Sequence, residues 1–175
     1  MEFRIRKAGI EDAPAIAFVQ LESWKSTYAG IVSETYLASL NVGTSAQKWR
    51  EWLGAGNFSM FVAESSAGVI GFASGGILRD AILGYDAELY AIYLLREHQG
   101  RGVGRLLVHA LVDSLRAEGF GSMVAWVLEK NPAVSFYMHL GGIQIAHKPI
   151  EIGGASLEEL AFGWPSLDSQ TLNQD

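Results

Sequence analysis

Three glycines alternate in the segment Gln99-Gly100-Arg101-Gly102-Val103-Gly104, between an apolar run and the strongest helical pattern of the chain. Glycine lets backbone amides approach a ligand closely and accepts dihedrals that other residues avoid. At a helix N-terminus the unsatisfied amides and the helix dipole both favour an anion. Each dipole effect is worth roughly 0.3–1 kcal/mol, and several converging amides add up on a diphosphate. Arg101 and Arg105 flank the loop and offer charge-assisted contacts, or simply a solvated helix start. The chemistry suggested is capture of a phosphate-bearing ligand. A kinase-type loop needs Lys and then Ser or Thr after the last glycine, and Arg105 and Leu106 stand there instead. A dinucleotide fingerprint counted from Gly102 fails at Leu107, although Glu129 ends the next strand, where a ribose-binding acid would sit.

Other chemistries are narrowed by composition. The chain has no cysteine, so it has no thiol nucleophile, disulfide or cysteine metal site. His98, His109, His139 and His147 show no metal spacing, and no metal is expected. A group transfer must then use another nucleophile or pass directly between substrates. With 175 residues, 49 % apolar and 18 % charged, one domain is expected over 1–165 with a polar tail over 166–175. The net charge of −6 argues against a nucleic-acid partner and mildly favours a cationic or neutral second substrate. The longest apolar run, 89–95, is too short to span a bilayer. No signal-peptide pattern opens the chain, so the cytoplasm is the default location and no membrane contact is expected.

The elements that must position the loop follow from periodicity. Alternation over 3–6 predicts a strand, and acidic residues followed by Pro14 open a helix that runs to about Tyr28, with Ile16, Val19 and Ser23 on one face. Short helices are expected over 33–40 and 45–53. The pattern then turns to strands over 58–64, 69–77 and 86–95. The helix over 102–118 carries Val103, Leu107, Leu111 and Leu115 at helical spacing. A buried strand over 122–128 comes next, then a helix capped by Asn131 and opened by Pro132, and two strands over 143–150 and 157–164. About half the chain precedes the loop as helices and antiparallel strands, which weakens a dinucleotide fold built from βαβ units.

The ordered set of motifs resembles the GNAT superfamily, the Gcn5-related N-acetyltransferases. It comprises Gln99-x-x-Gly102-x-Gly104, the preceding strand 87–95, Asn131 with Phe136-Tyr137 and Leu140-Gly141, the opening Trp24-x-x-x-Tyr28-x-Gly30 and the closing segment 160–164. The similarity spans roughly 3–164. It implies an α/β (α+β) domain with a mixed, mostly antiparallel sheet of about six to seven strands, flanked by helices and splayed at the strand before the glycine loop. It implies acetyl-CoA as co-substrate and transfer of acetyl to a primary amine, on a small molecule or a peptide, by direct attack in a ternary complex. It also allows a homodimer through the final strands. A nucleotide-dependent oxidoreductase and a non-catalytic CoA-binding domain stay open as alternatives.

The resemblance also carries residue roles. Ile92, Tyr93 and Leu94 would pair through their backbone with the pantetheine arm, and the Leu94 amide would hold the thioester oxygen. Gln99, Gly100, Arg101, Gly102, Val103, Gly104 and Arg105 would meet the pyrophosphate, and Asn131 would touch the CoA arm besides capping its helix. Tyr137 would protonate the leaving thiolate: a phenol of pKa ~10 can serve a thiol of pKa ~8.5. Glu88, at the start of the strand, would act as base, with Glu129 or water in its place as alternatives. Trp24, Tyr28, Trp126 and Phe162 would line the acceptor pocket, or else serve as core packing. Two departures stand out. Gly142 replaces the usual Phe, and Arg96 replaces the usual Pro after the strand.

Overall fold

The computed structural model describes residues 3–82 and 84–168. In chain order the elements are β1 (Phe3–Lys7), α1 (Ala13–Tyr28), α2 (Glu34–Ser39), α3 (Val42–Ala55), β2 (Ser59–Ser65), β3 (Gly68–Ile77), β4 (Ala87–Leu94), α4 (Val103–Ala117), β5 (Met123–Leu128), α5 (Ala133–His139), β6 (Ile143–Ile152) and β7 (Ala155–Trp164). The seven strands form one sheet in the order β1-β2-β3-β4-β5-β7-β6. Neighbours run antiparallel except β4 and β5, which are parallel. This is the mixed, mostly antiparallel sheet that the family resemblance implies.

Helices cover both faces. Leu107, Leu111 and Leu115 of α4 are fully buried against Ala73, Leu89 and Ala125, and Tyr137 of α5 joins that cluster. On the opposite face Ile16 and Val19 of α1 and Trp49 of α3 pack on Val62 and Phe72. A third cluster, with Tyr28, Val32, Leu37 and Leu128 at its centre, gathers Ile150, Ile152 and Leu157 of the last two strands. Helix α3 starts at Val42, earlier than the apolar pattern suggests, because the Asn41 side chain accepts the Thr44 amide at 2.9 Å. A polar tail is expected over 166–175, and its first residues are described. Leu167 is 2 % exposed and its amide bonds the Gly121 carbonyl at 2.9 Å, so the packed body passes Pro165. Residues 169–175 of that segment lie outside the described residues. Among the described residues no helix is long and apolar enough to cross a membrane.

An ion-pair network ties β1 to β2 and to the start of α1. Asp12 accepts from Arg6 at 2.7 and 2.8 Å and from the Gly9 amide at 2.8 Å, and Arg6 also bonds Glu64. The Arg6 bonds, more than any other influence, hold the Asp12 carboxyl below its ordinary 3.8. A depressed carboxyl contributes stability that is present above its unfolded pKa and lost as pH falls through the lower folded value. Asp12→Asn is expected to cost about 1–3 kcal/mol at neutral pH. Thermal melts should show the gap to wild type closing below the ordinary value of 3.8.

Candidate active site

The two parallel strands stay together for three residue pairs only, Ala87 with Met123, Glu88 with Val124 and Leu89 with Ala125. Beyond them β4 and β5 part. The divergence coincides with a bulge, since Ser74 of β3 faces Ala91 while Gly75 faces Leu89, leaving Tyr90 as the extra residue. The bulge re-aims the rest of β4, which continues to pair with β3 while its other edge opens. The Leu95 amide bonds the Ile70 carbonyl at 2.9 Å on the β3 side. Successive amides of a strand alternate between its two edges. Those of Leu94 and Ile92 therefore point to the edge that β5 has left.

At the end of β4 the chain turns through Gln99 into the glycine loop. Gln99 Nε2 donates back to the Leu94 carbonyl at 3.0 Å, and Ser23 Oγ reaches the same oxygen at 3.4 Å. Gly100 and Gly102 adopt φ of 70° and 78°, a left-handed conformation that only glycine accepts at little cost. Gly102 caps α4, so the first amides of that helix open toward the split between the strands. Gly104 has another reason: a Cβ there would stand 3.3 Å from the Phe136 ring of α5. The loop is therefore kept thin where it meets the neighbouring helix.

A cavity of about 1120 Å³ fills the split. Gly100, Gly104 and Phe136 line it on the α4–α5 face, and Trp24, Tyr28 and Trp126 line it on the other, so the cavity passes through the sheet. Phenols gather where the faces meet. Trp24 Nε1 donates to Tyr93 Oη at 2.9 Å, and Asn131 Nδ2 donates to Tyr28 Oη at 3.0 Å. The Asn131 Oδ1 accepts the Ala133 amide at 2.8 Å and so caps α5, as its position in the sequence suggests. Tyr137 is 4 % exposed and stacks on Phe162 at 6.0 Å. Burial, reinforced by the nearby Tyr93 and Tyr28, pushes its phenol far above the ordinary value of 10.0. A phenol so raised stays protonated at neutral pH.

Residues 21–141 match the model of the acetyltransferase (GNAT) family. The chain belongs to that family. It is 42 % identical over 166 residues to an uncharacterised N-acetyltransferase, YuaI, of Bacillus subtilis, covering 94 % of each chain. It is 30 % identical over 179 residues to the L-methionine sulfoximine/L-methionine sulfone acetyltransferase of Pseudomonas aeruginosa, covering 100 % of this chain and 96 % of the relative. Among solved structures, the PaiA N-acetyltransferase of Thermoplasma acidophilum in complex with coenzyme A superimposes with a TM-score of 0.73 and 25 % identity, over 93 % of this chain and 98 % of that one. The GNAT assignment makes the protein an acyltransferase, and neither the oxidoreductase nor the non-catalytic alternative gains support from any of these relatives.

Within the GNAT domain the expected site residues divide into two groups. Ile92, Tyr93, Leu94, Gln99, Gly100, Gly102, Gly104, Arg105, Asn131, Tyr137, Trp24, Tyr28 and Trp126 all line the cavity. Four others do not. Arg101 is exposed at the loop tip, and the Val103 side chain is 1 % exposed in the core, leaving only its backbone for a ligand. Phe162, expected at the acceptor pocket, lies on the wrong face of β7: with Leu160 and Trp164 it packs toward α5 against Tyr137. Glu88, expected as base, is 2 % exposed and turned to Arg79. That residue's amide and Nε donate to its carboxylate at 3.1 and 3.2 Å. Glu88 does not line the cavity, and its carboxylate is occupied by the Arg79 guanidinium and amide. Sequence reasoning missed Glu159 and Tyr90, which do line it, and Lys148, whose Nζ stands over the Trp126 ring at 4.2 Å. The Trp126 Nε1 is buried without a hydrogen-bond partner among the described residues, a spare donor beside the cavity. A signal for Glu159 existed in the alternation of 155–160, which sets it on the face of Leu157, away from Glu158.

Proposed function

We propose that this chain moves an acetyl group from acetyl-CoA directly to the primary amine of a small acceptor, in a ternary complex. The observation that carries the proposal is the open edge of β4, with the Ile92 and Leu94 amides facing a cavity that the glycine loop closes at one end. The fit to CoA rests on three features. Helix-start amides at Gly102–Gly104 suit the pyrophosphate, the free strand edge suits the amide groups of a pantetheine arm, and Gly104 leaves room that a side chain would fill. Acetyl-CoA supplies an activated acyl carbonyl and a thiolate leaving group. The Leu94 amide donates to the thioester oxygen as charge develops on it. Tyr137, still protonated, gives its proton to the sulfur. The same dry surroundings that raise the phenol also raise the proton affinity of a departing thiolate, so the transfer is not lost to the mismatch seen in water. Asn131 holds Tyr28 and the start of α5 in register beside the arm.

A small acceptor is supported by the relative named for methionine sulfoximine and methionine sulfone, both amino acid derivatives. It is also supported by the cavity, whose volume slightly exceeds the usual span of small-molecule pockets, roughly 300–1,000 Å³, and so leaves room beyond the cofactor arm. With no cysteine present, direct attack is the simpler route. Initial-velocity patterns test it. Intersecting lines and an enzyme mass unchanged by acetyl-CoA alone are expected. Parallel lines together with an acetylated enzyme would show a covalent relay instead.

A further inference from the structure

Among the described residues one carboxylate lines the cavity, Glu159. It stands on β7 opposite Leu128 of β5 and opposite Lys148 of β6. Trp126, one alternation before Leu128, shares that face of the sheet. The Glu159 side chain is 12 % exposed, and Lys148 Nζ lies 3.5 Å away while bonding Asp80 at 2.8 Å. The roles given to Leu94 and Tyr137 account for the thioester oxygen and the sulfur. They leave the charge of the acceptor unanswered. An alkylamine has a pKa near ~10.4, arrives as ammonium, and cannot attack until it loses a proton.

We propose that Glu159 is the catalytic base of the acceptor site, binding the incoming ammonium and taking its proton. The inference rests on the acetyltransferase reading above and adds to it. One ammonium proton passes to the Glu159 carboxylate. The freed nitrogen lone pair forms the C–N bond, the C–S bond breaks with its electrons on sulfur, and Tyr137 protonates that sulfur. The remaining surplus proton on nitrogen returns to the Tyr137 phenolate, and Glu159 releases its own to solvent. The sum is an amide, a thiol and one proton.

The surroundings suit a base. Burial is the largest influence on the Glu159 carboxyl and raises it, Asp80 and Glu88 push the same way, and Lys148 opposes them. The charged groups that act on it are Lys148 from β6, Asp80 from the β3–β4 connection and Glu88 from β4. Lys148 is also held by Asp80 at 2.8 Å, so it is not committed to Glu159 alone. A carboxylate lifted toward neutrality accepts a proton more readily than one at its ordinary value.

The test is Glu159→Gln, assayed with acetyl-CoA and two kinds of acceptor. L-methionine sulfone and spermidine serve as alkylamines, and 4-methoxyaniline as an arylamine already neutral at pH 7. The variant should bind acetyl-CoA in a calorimeter as wild type does. Its kcat/KM should fall about 100-fold with the alkylamines and less than about tenfold with the arylamine. The alkylamine deficit should shrink as pH approaches ~10, where the amine loses its proton unaided. Equal losses with both acceptors at every pH would mean a structural role and overturn the proposal, as would no loss at all. If the variant fails to bind acetyl-CoA, Glu159→Asp replaces it and the same contrast of acceptors decides. A wild-type chain that binds acetyl-CoA yet acetylates no amine overturns the transferase reading itself, and this proposal with it.

Discussion

Tyr137→Phe is expected to lower kcat by about 100- to 1,000-fold while leaving the KM for acetyl-CoA nearly unchanged. The ring would stay where it is, stacked on Phe162 and edge-on to Trp164, so packing is conserved and only the proton is removed. The phenol is raised well above its ordinary value by burial first, then by Tyr93 and Tyr28. Its acid form therefore persists throughout the neutral and alkaline range, and the wild-type pH profile should show no descending limb from this group up to about pH 10. Pre-steady-state acid quench separates the chemical step from product release. A variant with wild-type kcat, or one whose whole defect is a raised KM, would remove Tyr137 from the acid role.

Gly104→Val should weaken acetyl-CoA binding by about 100-fold. Gly104 does not have a positive φ, so the substitution carries no backbone strain. Its cost lies in space. A Cβ already stands 3.3 Å from the Phe136 ring, and the two methyls of valine must either push α5 away or project into the cavity where the helix-start amides are offered. Losing about two charge-assisted hydrogen bonds, each worth about 1.5–3 kcal/mol, is enough for that loss. Gly102→Ala provides the contrast. At φ 78° it meets nothing within 4 Å, so it pays mainly in conformational strain, about 1–2 kcal/mol of stability. Calorimetric titration beside thermal melts distinguishes them: the valine variant should lose chiefly binding, while the alanine variant should lose stability as well. Equal binding by the valine variant would show that the phosphate end of the ligand lies elsewhere.

Local patterns made much of this molecule legible. The glycine loop, the stripe Leu107, Leu111 and Leu115, and the cap at Asn131 are written over a few consecutive residues, and the structure keeps each in its expected place. The ends of elements were less legible, since Asn41 starts α3 through a side-chain bond that apolar periodicity does not register. The acceptor side was least legible. Glu88 is set aside by Arg79, which reaches it across the β3–β4 connection, and Phe162 by the face of β7 it occupies. Glu159 enters the cavity only because β7 lies next to β5 in space, a neighbour relation that crosses the order of the chain. Period and spacing tell which residues share an element's face. They do not tell which of two faces looks into a cleft, or which charge meets its partner there.

The same distinction explains why the proposed cofactor end can be argued residue by residue while the acceptor is proposed only by class. Backbone groups do most of the work at the loop and along β4, and backbone geometry follows from the fold. In the proposed reaction the acceptor would meet Trp126, Tyr90, Glu159 and their charged neighbours, side chains whose arrangement can vary without altering the sheet.

Acetyl transfer to an amine through the split between β4 and β5 is tested most directly by incubating the protein with acetyl-CoA and a panel of primary amines, following free thiol with a thiol-reactive dye and the product by mass spectrometry. Thiol release should depend on the amine and match acetylated product mole for mole. Thermal stabilisation by a nicotinamide dinucleotide but not by acetyl-CoA, with no thiol released for any amine, would contradict it.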